Sequence, residues 1–239
     1  MEPIIRNYRG NFQAEGPSAR LIWLDDGPPT VTLTYLEIED GKTSPHHIHP
    51  WEHEVFILEG SGTLLCDDVQ YPVRAGDAVF IPGDVDHYTL NNGGQGLLKR
   101  IEVNPLMAAQ SGGAQNEGGE GTGKPPTILN LADIDLSPGS ARPILTAAEG
   151  AVNYTMFYRG LEPGESSPTH AHAWEHQAYI LKGTCTLVCD GVDFRVRERR
   201  RHTGAPACRA RVAQRQRRDG WMAGLQSHRP LTRPATRMR

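Results

Sequence analysis

Eight of the ten histidines in this chain of 239 residues fall in two short segments or at His87. The first segment reads Gly41-Lys-Thr-Ser-Pro-His46-His47-Ile-His49-Pro-Trp51-Glu52-His53 and runs on to Gly60. The second, 123 residues later, reads Gly164-Glu-Ser-Ser-Pro-Thr-His170-Ala-His172-Ala-Trp174-Glu175-His176 and runs on to Gly183. Imidazole gathered this densely points to a divalent metal, which the neutral ring ligates well. In an extended strand, residues two apart face one side, so His47 and His49 point together into one cavity. His53 follows a Pro-Trp turn, after which a second strand can return it to that cavity. His87 stands after Ile81-Pro82-Gly83-Asp84, a turn that delivers one more imidazole from a different strand. Four neutral imidazoles leave the metal's charge uncompensated, so a small-molecule substrate with anionic character is expected to bind there.

The elements that must hold these residues read as short strands. Thr30-Val-Thr-Leu-Thr-Tyr-Leu-Glu-Ile38, Val55-Phe-Ile-Leu58, Thr63-Leu-Leu-Cys66 and Ala78-Val-Phe-Ile81 are β-branched or apolar runs. Glycine, proline or aspartate separates them, and no long amphipathic helix stands out. Many short strands at this spacing predict an all-β barrel or sandwich. Strand character resumes at Val152–Tyr158, with Tyr154 to Tyr158 aligned on Val31 to Tyr35 at the same offset. Residues 105–126 are rich in Gly, Gln, Glu and Ser and read as a flexible linker.

Together the two kinds of segment resemble the cupin superfamily, whose first motif is G-x5-H-x-H-x3/4-E-x6-G and whose second is G-x5-P-x-G-x2-H-x3-N. Gly41, His47, His49 and Gly60 match the first, and Gly76, Pro82, His87 and Asn91 the second. The resemblance implies two tandem jelly-roll barrels, a bicupin, each with metal near the barrel interior. Asp84 replaces a motif glycine, and His53 stands where the family usually carries glutamate. Glu54 fits the longer motif spacing, but His53 leaves the usual six residues before Gly60, and His176 repeats it where Gln177 replaces Glu54. The ligand set His47, His49, His53 and His87 resembles that of a manganese-binding subgroup. Mn2+ or Fe2+ is the preferred metal, with Ni2+, Cu2+ or Zn2+ tolerated by imidazole. The activity so implied is metal-dependent oxygenation of a small organic molecule by a dioxygenase-like enzyme. A non-redox isomerase, or a binding or sensing cupin without turnover, is the alternative.

Other residues carry blander readings. His46 has Thr169 as its counterpart and reads as a surface residue. Trp51 and Trp174 read as packing at the barrel mouth. Glu52 and Glu175, each beside a candidate ligand, read either as acceptors of a hydrogen bond from a ligand N–H or as solvated side chains. Tyr88 and Asp86 flank His87 as loop decoration. Four cysteines without a C-x2-C pair argue against thiolate zinc and for a reduced, cytoplasmic setting. No signal peptide or membrane-spanning run is apparent, and a homodimer is compatible with the family.

The second repeat stops short. Residues 1–194 carry 11 basic and 26 acidic side chains, whereas residues 195–239 carry 14 arginines and two acids. The repeat holds to Arg197-Glu198 and then gives way to an arginine-rich run without strand periodicity. A one-base shift after Glu198 permits glycine at 199, proline at 205, histidine at 210 and asparagine at 214, the positions the second motif would occupy. A frameshift therefore explains the run better than a nucleic-acid-binding tail does. The expected organisation is an N-terminal barrel over 1–104, a linker over 105–126, a partial second barrel over 127–198 and a disordered tail over 199–239. The second metal site, His170, His172 and His176, is left incomplete.

Overall fold

The computed structural model describes residues 3–8, 18–27, 30–111, 121–135, 141–172, 174–198, 200–204, 210–213 and 220–227, the last three as backbone only. Its strands are β1 (Ile4–Asn7), β2 (Ser18–Ile22), β3 (Val31–Ile38), β4 (His53–Glu59), β5 (Ser61–Cys66), β6 (Val69–Arg74), β7 (Asp77–Ile81), β8 (His87–Leu90) and β9 (Leu98–Pro105). A short helix, α1 (Leu106–Gln110), follows, and then β10 (Thr127–Asn130), β11 (Ala141–Leu145), β12 (Tyr154–Leu161), β13 (His176–Lys182), β14 (Thr184–Cys189) and β15 (Val192–Arg197). Last come β16 (Arg200–Gly204), β17 (Ala210–Ala213) and β18 (Gly220–Ser227).

Two antiparallel jelly-roll barrels result. The first closes a six-stranded sheet, β10-β7-β4-β9-β3-β2, over a three-stranded sheet, β6-β5-β8. The second repeats this with β1-β16-β13-β18-β12-β11 over β15-β14-β17. Each of the two opening strands is exchanged: β1 pairs with β16 of the second barrel, and β10 pairs with β7 of the first. The expected boundary at 127 therefore falls beside a strand that belongs to the first sheet.

Burial explains the pattern of β3, in which both faces are covered. Val31, Leu33 and Tyr35 join Phe56, Val103, Tyr154, Met156 and Tyr158 in a core shared by the two large sheets. Leu36 and Ile38 turn the other way and join Val55, Ile57, Leu64, Val79 and Leu98 inside the first barrel. Removal of apolar side chains on both faces from water is the main stabilising contribution at about 25 cal/mol per Å2. Towards the other end of the same strands, inward positions become polar: Thr32, Thr34, His53, Glu102 and Asn104 line a cavity.

Two regions differ from expectation. Part of the supposed linker is ordered: α1 sets Ala108 and Ala109 against the cavity, and Gly123 N donates to Asp67 Oδ2 at 2.7 Å. Within the stretch 199–239, expected as a disordered tail, the described backbone carries β16, β17 and β18, and the rest of that stretch lies outside the described residues. The reason is that backbone pairing along open edges of β13 and β14 tolerates almost any side chain. The second barrel remains incomplete, because Ala210 pairs with Cys189 where His87 pairs with Cys66 in the first.

Candidate metal centre

His47 and His87 are brought together by a small antiparallel bridge, with His87 N donating to His47 O at 3.0 Å. His53 opens β4 and points inward beside them, and His49 closes the cluster from the preceding turn. All four are buried, and their ligand atoms lie within 4.8 Å of one another. Nε2 of His53 is 2.7 Å from Nε2 of His49 and 3.3 Å from Nε2 of His47.

The tautomers follow from the backbone. Nδ1 of His49 donates to Trp51 O at 2.8 Å, and Nδ1 of His87 donates to Val85 O at 2.8 Å. A carbonyl can only accept, so both rings carry their proton on Nδ1 and turn an Nε2 lone pair to the centre. Nε2 of His87 has no hydrogen-bond partner. Converging lone pairs repel unless a cation sits among them. Imidazole nitrogens bound side by side at about 2.1 Å from a divalent ion would be about 3 Å apart, the spacing seen here. The donor set therefore fits a divalent metal.

Burial keeps the rings neutral. It lowers His47 from 6.5 to about 4 and His87 to about 3, and it lowers His49 and, further, His53. Trp51 stacks on His49 with ring centroids 4.3 Å apart and an interplanar angle of 11°. It thus holds a ligand ring as well as the barrel mouth.

Glu54 lies on the opposite face of β4 from His53, as adjacent strand residues must. It is fully buried, neither carboxylate oxygen has a hydrogen-bond partner, and burial raises its pKa strongly, with Glu52 adding to the effect. Among the described residues, neither Glu52 nor Glu175 accepts from an imidazole. Glu52 accepts from Asn153 Nδ2, and Glu175 accepts from Thr30 Oγ1 at 2.7 Å, so each ties its barrel to the other. Exposed His46 pairs with Asp86 at 2.7 Å.

The carboxylate that faces a ligand ring is Glu102, on β9, with Oε1 3.7 Å from His53 Nδ1. Burial works against its charge, but His53 and Arg100 beside it outweigh that and hold the carboxyl well below its usual range. Arg100 Nη2 donates to Glu102 Oε2 at 2.7 Å, and Arg100 Nη1 to Thr89 Oγ1 at 2.7 Å. The arginine's fixed charge is the cause we favour, since buried His53 is neutral. Sequence reasoning passed over Glu102, Arg100, Asn104 and Arg20. The alternation Arg100-Ile-Glu102-Val-Asn104 was the available signal, but it does not say which face is inside.

The second cluster repeats the first in a more exposed setting. His170 and His172 donate from Nδ1 to Pro168 O and Trp174 O, and their Nε2 atoms lie 3.0 and 2.6 Å from that of His176. The same lone-pair convergence is present with three rings instead of four.

The Cupin domain family matches residues 34–100 and 157–199. The chain is 43% identical over 63 residues to dimethylsulfoniopropionate lyase DddW of Ruegeria pomeroyi, which covers 26% of this chain and 41% of the relative. The chain spans about half or less of the length of the curated relatives it matches. Salicylate 1,2-dioxygenase from Pseudaminobacter salicylatoxidans superposes with a TM-score of 0.73 at 11% identity, covering 95% of this chain and 84% of that one. A cupin 2 conserved barrel domain protein from Leptotrichia buccalis gives 0.66 at 15% identity, covering 95% and 96%. Residues 34–100 and 157–199 thus resemble the Cupin domain family in sequence, and the jelly-roll fold is shared with cupin proteins of solved structure.

Proposed function

We propose that His47, His49, His53 and His87 hold one Mn2+ or Fe2+ and that the protein oxygenates a small organic acid in the adjoining cavity. The observation that carries this reading is the convergence of four buried imidazoles, three of which line a cavity of about 290 Å3. When bound, such an ion polarises substrate oxygen and mediates electron transfer to dioxygen.

The chain's own residues have definable tasks. Trp51 and the carbonyls of Trp51 and Val85 fix ring orientation, which keeps the lone pairs aimed without further reorganisation. Glu102, fixed by Arg100 and Asn104, sets a negative charge 3.7 Å from His53 Nδ1, which favours a cation at the cluster. Ala108 and Ala109 of α1 form an apolar wall of the cavity. The three-histidine cluster of the second repeat, in this bicupin reading, takes a metal ion more weakly.

Metal content of the purified full chain, measured by plasma mass spectrometry, tests the proposal together with oxygen uptake across a panel of small acids. About one manganese or iron per chain with substrate-dependent oxygen uptake is the expected outcome. Purification without chelator that yields no metal would sink it. A non-redox lyase or isomerase is the second reading, supported by the stretch that is 43% identical to a lyase. It predicts product without oxygen uptake, whereas a pure binding protein would give a ligand-induced melting shift and no product.

A further inference from the structure

The rim of the cavity beside the imidazoles carries an exposed cation that no described residue pairs. Arg20, on β2, lines the cavity together with His47, His49 and His53. Its guanidinium lies over the Trp23 ring at 4.3 Å and makes no ion pair or hydrogen bond with any described residue. The other arginine of this region, Arg100, is committed to Glu102 and Thr89. Glu102 is therefore already neutralised, and Arg20 is free to meet a guest.

Arg20 is also held in position. Trp23 N donates to Asp26 Oδ2 at 2.9 Å, and Asp26 is gripped by both terminal nitrogens of Arg6, which also reaches Leu21 O at 3.0 Å. The backbone that carries the aromatic surface is thus tied to β1, and stacking on that surface restricts the flat fork. Two further groups in the same cavity lack partners. Thr32 Oγ1 is completely buried, and Asn104 Oδ1 is buried while its amide nitrogen donates to Glu102. A buried polar atom left unpaired costs about 1–3 kcal/mol, so a guest that bonds to these two atoms gains over one that cannot.

We propose that Arg20 is the specificity-determining residue of the cavity and that it selects a small carboxylic acid carrying an O–H or N–H donor. The carboxylate takes the guanidinium fork in a two-pronged pair. Thr32 adds a hydroxyl, and Asn104 Oδ1 accepts from the guest's donor. About 290 Å3 lies at the low end for small-molecule sites, which limits the guest to a small acid. This deepens the enzymatic reading above and rests on it for the role of the metal, but the Arg20 contact itself does not require the ion.

The test is calorimetric titration of the full chain with salicylate and lactate, each beside its uncharged amide, salicylamide and lactamide. Wild type, Arg20→Gln and Arg20→Lys are compared, both metal-loaded and chelator-stripped, with metal content and melting temperature measured on the same samples. At least one acid is expected to bind wild type at least about tenfold more tightly than its amide, and Arg20→Gln to remove that preference. Arg20→Lys should restore it in part, because it keeps the charge without the fork. Stripping the metal should weaken binding in every variant and preserve the difference between wild type and Arg20→Gln. Equal affinity of wild type and Arg20→Gln for the acids, or no binding of either acid to the metal-loaded wild type, overturns the proposal. A chain that takes up no metal yet prefers the acid through Arg20 would overturn the metal reading and leave this one standing.

Discussion

Each imidazole of the first cluster is held neutral by its surroundings, and that has a thermodynamic cost in acid. In the unfolded chain these rings take up a proton near pH 6.5, whereas folded His47 and His87 wait until about 4 and 3. The unfolded state therefore binds more protons as pH falls below 6.5, and the metal-free fold loses stability from there down to about 3, at up to about 1.4 kcal/mol per pH unit for each ring. Urea titrations of chelator-treated protein at pH 8, 6 and 5 should show little change above 6.5 and a steady fall below it. Glu102→Gln keeps the shape beside His53 but removes the charge, and is expected to weaken metal affinity by about 10–100-fold. A competition titration with a metallochromic chelator measures this. His87→Ala should do more, because it removes a ligand outright. In the second cluster the reverse experiment is open: Ala210→His adds the missing imidazole at the β17 position that faces Cys189. A rise in the affinity of the weaker site, read as a second metal per chain at lower total metal, is the expected result.

At the scale of elements, α1 is the piece whose chemistry is simplest to change. Ala109→Phe should fill the cavity and exclude guests while leaving metal content intact, a split readable by titration and plasma mass spectrometry on one sample. Strand β9 shows where the sequence was and was not legible. The gathering of His47, His49 and His53 was readable because imidazoles at that spacing form a rare sequence pattern, and the fold brings the three rings together. The alternation in Arg100-Ile-Glu102-Val-Asn104 was equally regular, but periodicity reports that two faces differ and not what covers each. Here the apolar face meets the neighbouring barrel and the polar face lines the cavity. Glu102 and Arg100 were hidden for that reason. The same cause misdirected Glu52 and Glu175, whose nearness in sequence to the ligands suggested contact, while the seam between barrels supplied their partners in space. Exchange of β1 and β10 was invisible as well, since four-residue strands carry no mark of which sheet they will join.

Across the whole molecule, the core shared by the two large sheets predicts that the two barrels unfold together. Phe56, buried at 2% exposure among side chains of both sheets, is the place to test this. Phe56→Ala should cost about 3–5 kcal/mol, and the loss should raise amide exchange on β12 and β13 as well as on β4. Exchange confined to β4 would mean that the barrels unfold separately. The opening strands make a stronger demand. Since Ile4–Asn7 lies against Arg200–Gly204 and Thr127–Asn130 against Asp77–Ile81, each half of the polypeptide is threaded into its neighbour like two interlocked hooks. Severing the chain between residues 112 and 120 would therefore not release two bodies: the fragments would stay clasped, and neither half made alone would have the partner strand that finishes its sheet.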